Sequence, residues 1–216
     1  MTVRISAFSW VPEIARGFVK DLRVRWALEE CAIAYEEELI RPLGECPDAY
    51  RQWQPFGQVP AYRDDQVEMF ESGAIVLHIA RDNPALSPPD RNGQARMESW
   101  VFAALSTIEP RFQTLFLIDD ALAATPEGAA FRQRMVELLD KRLREFASWL
   151  GAREYLVDRF TAADIIMATV LRDIRGHDFL IPYPELTAYL ERCEARPAFA
   201  RALDAQMIHF SDHASA

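Results

Sequence analysis

The pair Val59-Pro60, followed eleven residues after Pro60 by the pair Glu71-Ser72, constrains the fold more than any other feature of the chain. A residue before proline is disfavoured in a helix, so Val59 is predicted to be extended or in a turn. If its bond to Pro60 is cis, as in many tight turns, the amide and carbonyl of Val59 point outward and can pair with an extended peptide. Ser72 is a favourable N-cap residue, so Glu71 and Ser72 are predicted to open a helix.

These residues outline a site for a small peptide with charged ends. The free amides at the start of a helix attract a carboxylate, and the side chain of Glu71 beside them can hold an ammonium group. Peptide-like pairing along Val59, next to a socket for both charges, suits glutathione, because its γ-glutamyl end carries a carboxylate and an ammonium group.

Several short motifs, taken in order, resemble the glutathione transferase family over almost the whole chain. They are Val24-Arg25-Trp26-Ala27-Leu28-Glu29-Glu30, Gln54-Pro55-Phe56-Gly57-Gln58-Val59-Pro60, Glu71-Ser72, Phe160-Thr161-Ala162-Ala163-Asp164-Ile165 and Arg196-Pro197-Ala198-Phe199. The resemblance implies an α/β thioredoxin-like domain followed by an all-helical bundle domain. It also implies glutathione as co-substrate, bound by Gln58, Val59, Pro60, Glu71 and Ser72.

Apolar periodicity predicts the same two parts. Residues 3–8 and 35–40 read as strands, Asp64-Asp65 as the turn of a hairpin, and residues 72–82 as a helix. A helix is also predicted around the apolar stripe Val24, Ala27, Leu28 and Cys31. Prolines and a glycine then mark a linker. The predicted domains are residues 1–83, a linker at 84–93, and residues 94–216.

Beyond the linker the strand signal ends and helical patterns follow. The predicted helices cover residues 95–117, 127–150, 161–175, 184–195 and 197–208, with a kink or break at Pro110 and a C-cap at Gly151. Thr161 and Asp164 have the spacing of a capping box, which predicts a structural rather than a catalytic role for both.

Composition narrows the class of partner. A net charge of -9 disfavours nucleic acid, and no apolar run approaches the length of a membrane span. The three cysteines Cys31, Cys46 and Cys193 are an odd number without CxxC spacing, and no leader pattern opens the chain, so a reducing compartment, the cytoplasm, is predicted. The histidines lack zinc spacing with cysteines, so no metal is expected.

The group that stabilises the glutathione thiolate is the least determined part of the site. A free thiol has a pKa of about 8.5 and needs a hydrogen-bond donor or a positive charge to ionise. The family places a Ser-Pro or Cys-Pro about six residues before the Val-Arg of the first helix, where this chain has Gly17-Phe18. Ser9, the nearest hydroxyl, and the Trp10 indole are the catalytic candidates.

Each candidate has an alternative interpretation. Ser9 also fits a strand-end hydroxyl that faces water, and Trp10 also fits a packing residue. Charge alone is a further possibility: basic side chains near the first helix can supply local positive potential or can form a solvated face. These are Arg16, Lys20, Arg23 and Arg25.

The resemblance implies a homodimeric glutathione transferase that joins the thiolate to a small hydrophobic electrophile. Apolar helical-domain residues are available to line that second substrate: Trp100, Phe102, Leu105, Ile108, Phe112 and Phe116. No cysteine precedes the first helix, which disfavours thiol exchange. A glutathione-binding or protein-interaction module with little turnover stays open, as does another glutathione-dependent activity such as an isomerase, dehalogenase or peroxidase.

Overall fold

The computed structural model describes residues 2–41, 47–122 and 125–211. Their contacts divide the chain into two compact units, Met1–Ser87 with Glu194–Ala216, and Pro88–Cys193. Within the described residues no helix is long and apolar enough to cross a membrane.

The first unit is built on a four-stranded mixed sheet. Its strands are β1 Val3–Phe8, β2 Tyr35–Ile40, β3 Ala61–Arg63 and β4 Glu68–Phe70, in the order β2-β1-β3-β4. β1 pairs in parallel with β2, and β3 pairs antiparallel with both β1 and β4. Its helices are α1 Asp21–Glu30, α2 Asp48–Trp53, α3 Ser72–Ala80 and the C-terminal helix, α9 Pro197–Ser211, with a short 3-10 turn at Glu13–Ala15.

The predicted strands and the hairpin are confirmed, and the glutamates of β2 have a physical explanation. β2 is an edge strand, and two of its glutamates pair with arginines of β1 and β3. Arg4 Nε lies 3.0 Å from Glu36, and Arg63 Nη2 lies 2.6 Å from Glu38. Charged side chains on an edge strand disfavour pairing of that edge with a strand of another chain. The short helix α2 is not predicted by the sequence.

The C-terminal helix α9 packs on α1. The rings of Trp26 and Phe199 lie 4.8 Å apart, and the buried face of α1 contains Val24, Ala27 and Leu28 of the predicted stripe. Its fourth member, Cys31, lies at the C-cap and is partly exposed. The sequence places α9 in the helical domain, whereas the contacts group it with the sheet. The predicted domain boundaries themselves stay a prediction.

The second unit is helical. Its helices are α4 Arg91–Phe102, α5 Glu109–Ala121, α6 Pro126–Leu150, α7 Ala162–Arg175 and α8 Pro184–Glu194. A π-helical turn, Ala103–Ile108, joins α4 to α5, so the predicted helix over 95–117 is interrupted just before Pro110. Proline lacks the N–H that would continue the i to i-4 ladder, and Pro110 lies in the first turn of α5, where that N–H is not needed.

The capping box at the start of α7 is confirmed. The buried carboxylate of Asp164 accepts the Thr161 backbone N–H at 2.8 Å and the Leu156 N–H at 3.0 Å. The Tyr189 hydroxyl donates to it at 2.9 Å. Burial raises the pKa of Asp164 to about 6, against the lowering effect of these donors. The carboxylate is fully engaged in joining α7 to the loop before it and to α8.

Candidate functional site

The turn before β3 is held by the side chain of Gln54. This side chain is buried, and its Oε1 accepts the backbone N–H of Phe56 at 2.7 Å and that of Gln58 at 3.2 Å. The turn ends in the cis peptide bond Val59–Pro60. Val59 and Pro60 are buried, whereas the side chain of Gln58 is exposed.

A chain of hydroxyl groups braces both sides of this turn. The backbone N–H of Ala61 donates to Ser6 Oγ at 2.7 Å, and the Ser6 and Tyr50 hydroxyls lie 2.7 Å apart. Tyr50 in turn donates to the carbonyl of Gln58 at 2.5 Å. Because the Tyr50 hydroxyl donates its only hydrogen to that carbonyl, the Ser6 hydroxyl must be the donor in the Ser6–Tyr50 hydrogen bond. Ser6 is therefore a brace of the turn.

The register of the hairpin brings the turn to the start of α3. Ala61 pairs with Phe70, so Pro60 and Glu71, the next residues outward, lie at the same end of the hairpin. Glu71 has φ 74°, in the left-handed region that residues other than glycine seldom adopt. Such local strain clusters at functional sites. Val59, Pro60, Glu71 and Ser72 are thus brought together as the sequence predicts.

The helix begins one residue earlier than an N-cap at Ser72 would place it. Glu71 occupies the N-cap position without a side-chain cap, and Ser72 is the first helical residue. The Ser72 hydroxyl accepts a hydrogen bond from Arg23 Nη1 at 3.2 Å, so it is not a cap of its own helix. The prediction that Ser72 is the N-cap is wrong in this detail. The uncapped amides of the first turn of α3 remain next to Glu71.

The long connection between β1 and α1 starts and ends beside the turn. Phe8 and Val19 both pack against the buried cluster that contains Val59 and Ala61. Ser9 continues the strand pairing, since its backbone N–H donates to the Ile40 carbonyl at 2.9 Å. Ser9 and Trp10, the predicted catalytic residues, directly follow Phe8, which packs against the cluster that contains Val59. Both residues are partly exposed.

The basic residues near α1 differ in what they can offer. Arg25 is fully buried and is paired with Asp21 at 2.7 Å and with Glu37 at 2.6 Å, so its charge is already compensated. The structure therefore corrects the suggestion that Arg25 supplies positive potential to the site. Arg23 reaches Ser72. Arg16, in the connection, has a buried Nε without a hydrogen-bond partner among the described residues.

The cysteines are poor nucleophiles where the structure describes them. Burial, with the Glu30 carboxylate beside it, raises the pKa of Cys31 to about 12. Cys193 is buried. Cys46 lies outside the described residues. The described part of the chain holds no cluster of three metal-ligating side chains.

The apolar residues suggested for the second substrate divide into core and surface. Ile108 and Phe112 are buried, and the Trp100 ring lies against Trp149 at 4.3 Å. Phe102 and Phe116 are 61% and 45% exposed. Among the six suggested residues, Phe102 and Phe116 are therefore the most accessible to a ligand, whereas Trp100 and Leu105 are partly exposed.

The cis turn and the mixed sheet belong to a thioredoxin-like unit, and the sequence comparisons define the family. Residues 22–89 match the family model "Glutathione S-transferase, N-terminal domain", and residues 126–197 match "Glutathione S-transferase, C-terminal domain". The chain belongs to the glutathione S-transferase family.

Individual relatives are distant. A glutathione S-transferase of Hyoscyamus muticus is 30% identical over 162 residues, which cover 69% of this chain and 76% of that protein. Glutathione S-transferase 3 of Schizosaccharomyces pombe is 26% identical over 195 residues, 83% of this chain and 81% of that protein. The solved structure of Ure2p in complex with glutathione has the same fold, with a TM-score of 0.80 at 21% identity, covering 94% of this chain and 93% of that one.

Sequence reasoning missed the residues that build the turn. The sequence patterns assign no structural role to Gln54, Ser6 or Tyr50. A hydroxyl residue between apolar neighbours in a central strand indicates a buried hydrogen bond, because a buried hydroxyl needs a partner. Ser6, between Ile5 and Ala7, is such a residue.

Proposed function

We propose that this chain binds glutathione at the turn and helix start formed by Gln58, Val59, Pro60, Glu71 and Ser72. The observation that carries the proposal is the β3–β4 register, which brings Pro60 and Glu71 to the same end of the hairpin, at the uncapped start of α3. The Val59 backbone pairs with the cysteinyl unit. The γ-glutamyl carboxylate binds the amides of α3, and its ammonium group binds Glu71.

The proposed reaction joins the whole glutathione molecule, through its sulfur, to a small hydrophobic electrophile. With 1-chloro-2,4-dinitrobenzene as probe, the thiol proton passes to solvent and the thiolate attacks the ring carbon that carries chlorine. A carbon–sulfur bond forms, the carbon–chlorine bond breaks, and chloride leaves with the bonding pair. The protein lowers the barrier by stabilising the thiolate, for which Ser9, Trp10 and the free Arg16 donor are the candidates.

Family membership supports the proposal, and so does the glutathione bound in the Ure2p structure of the same fold. Membership also supports a cytoplasmic homodimer. Light scattering on the purified chain tests the dimer, and a mass of about 49 kDa is expected from twice 24.7 kDa. A mass near 25 kDa contradicts it.

Glutathione titration by calorimetry tests the binding site. Glu71→Gln keeps the size of the side chain and removes its charge, so glutathione is expected to bind about tenfold more weakly. Glu68→Gln, on the exposed side of β4 in the same hairpin, is the matched control and leaves affinity unchanged. Equal affinity in Glu71→Gln and the wild type contradicts the proposed site.

A second candidate is glutathione binding without turnover, and the absence of a hydroxyl at Gly17-Phe18 favours it. Ser9→Ala separates the two candidates. If kcat falls while glutathione affinity persists, the transferase is supported and Ser9 is the donor. Wild-type protein that binds glutathione and shows no turnover with the probe supports the binding module.

A further inference from the structure

Polar contacts attach α9 to α1 along the whole of α1. Arg196 makes a bidentate ion pair with Glu30, at 2.6 and 2.7 Å, and Arg201 Nε lies 2.7 Å from Glu29. Both acidic residues lie at the C-terminal end of α1. The two helices run in opposite directions, so the last turns of α9 reach the first turn of α1.

Gln206 is the residue of α9 at that first turn. It is 1% exposed, and its Nε2 donates to Asp21 Oδ1 at 2.8 Å and to the Val19 carbonyl at 3.2 Å. Both partners are acceptors, which determines the orientation of the amide. The other atom, Oε1, is buried and has no partner in the part of the chain that the structure describes. The Gln206 side chain thus holds the start of α1 through its Nε2, while its Oε1 is left without a hydrogen bond from the described residues.

The contact is part of a chain of polar groups that is buried at Gln206, Asp21 and Arg25 and partly exposed at Glu37 and His209. Asp21 pairs with Arg25, Arg25 pairs with Glu37 of β2, and Glu37 contacts His209 of α9. His209 and Gln206 lie one turn apart on α9. Burial raises the pKa of Asp21 above its ordinary value, against the opposing effect of the Arg25 guanidinium and the Gln206 amide. Loss of a donor to Asp21 therefore leaves a buried carboxyl short of partners.

Both residues that Gln206 holds adjoin the candidate site. Val19 packs against the cluster that contains Val59. Two residues after Asp21, in the same turn of α1, Arg23 donates to the hydroxyl of Ser72. Arg23 is 2% exposed, so its side chain has little freedom to compensate for a movement of its backbone.

We propose that Gln206 is a positioning residue for glutathione: it holds the first turn of α1, and through Arg23 and Val19 it sets the two halves of the site, Ser72 and Val59. This rests on the proposed function, in which glutathione binds at those residues. Gln206 itself touches no substrate in this account. The C-terminal helix is thereby coupled to the affinity of the site.

The matched variants are Gln206→Met and Arg201→Met, studied in the full chain. Both introduce methionine on the face of α9 that contacts α1, but Arg201 holds the C-terminal end of α1 and Gln206 holds its start. Gln206→Met also removes the unsatisfied Oε1, which offsets part of the lost stability. Thermal stability is expected to fall modestly in Gln206→Met, because the buried Asp21 loses a donor, and to change little in Arg201→Met, whose ion pair with Glu29 is partly exposed.

Glutathione affinity and amide exchange distinguish a positioning role from a structural one. Gln206→Met is expected to bind glutathione about tenfold more weakly and to raise the pKa of the bound thiol, followed by thiolate absorbance. Exchange at the amides of residues 21–25 is expected to accelerate. Arg201→Met is expected to match the wild type in affinity and thiol pKa. If Gln206→Met does not fold, Gln206→Asn, which only shortens the side chain, replaces it with the same expected direction.

The outcomes separate the two proposals. Wild-type protein that binds no glutathione overturns the proposed function, and the positioning role falls with it. Wild-type protein that binds glutathione, with equal affinity in Gln206→Met, overturns the positioning role alone. Equal losses of affinity in Gln206→Met and Arg201→Met also overturn it, because general loosening of α9 then accounts for the effect.

Discussion

The hydroxyls of Ser6 and Tyr50 lie 2.7 Å apart and connect the carbonyl before the Val59-Pro60 turn to the amide after it. Ser6 comes from β1 and Tyr50 from α2, two elements that are 44 residues apart along the chain at this contact. The Val59-Pro60 turn, which is proposed to bind glutathione, is thus held in place by side chains from β1 and α2.

Tyr50→Phe tests this brace. It removes the hydroxyl and leaves the Ser6 hydroxyl and the Gln58 carbonyl short of a partner, so the free energy of unfolding is expected to fall by about 1–2 kcal/mol. Glutathione affinity is expected to fall with it. Tyr155→Phe is the control, because the Tyr155 hydroxyl makes no hydrogen bond with the described residues. Urea unfolding measures both variants, and equal stability in the two contradicts the brace.

Arg25→Met tests the buried ion pairs under α1. The substitution leaves Asp21 and Glu37 without their cation, and a broken buried pair costs about 3–5 kcal/mol. Arg4→Met is the control: Arg4 and Glu36 are 49% and 60% exposed, and surface pairs contribute about 1 kcal/mol or less. Chemical unfolding of both variants measures the difference. Comparable losses in the two would show that Arg25 is not a buried partner.

Cys31 is expected to be slow to alkylate in the folded protein. A pKa raised to about 12 means that little thiolate is present at neutral pH, and the fraction keeps rising with pH up to that value. The rate of iodoacetamide labelling at Cys31, followed by peptide mass spectrometry, is therefore expected to climb steadily between pH 8 and 10. The same residue in urea should level off about one pH unit above the ordinary thiol pKa of about 8.5, and an equally early plateau in the folded protein contradicts the burial of this thiol.

Thr161→Ala tests the capping box of α7. Thr161 is fully buried, and loss of an N-cap hydroxyl costs about 1 kcal/mol, with a matching fall in thermal stability. Thr161→Ser keeps the hydroxyl and is expected to retain most of that stability. Calorimetric melting that cannot tell Thr161→Ala from the wild type would refute the structural role.

The sequence predicted the local elements well, because strong short-range signals specify them. Val59-Pro60 marked the turn, the alternation around Ile5 marked β1, and Thr161 with Asp164 marked the start of α7. Prediction failed where a side chain acts on distant residues. Nothing local to Gln206 indicates that it reaches Val19, 187 residues away, and nothing local to Tyr50 indicates that it holds the Gln58 carbonyl.

Charge was the hardest property to assign from sequence. Arg23 and Arg25 are two residues apart on α1, and both were candidates for a positive site. Arg25 is compensated by Asp21 and Glu37, whereas Arg23 contacts the Ser72 hydroxyl. Only the packing of α1 against β2 and α3 separates their roles, and no pattern within the helix carries that information.

A crystal structure of the protein grown with glutathione tests the central claim most directly. The account predicts the γ-glutamyl group at Glu71 and the start of α3, and the cysteinyl backbone paired with Val59. It also predicts the sulfur within hydrogen-bond reach of Ser9, the Trp10 indole or Arg16. Glutathione bound away from Val59, Glu71 and Ser72 would contradict the proposed site.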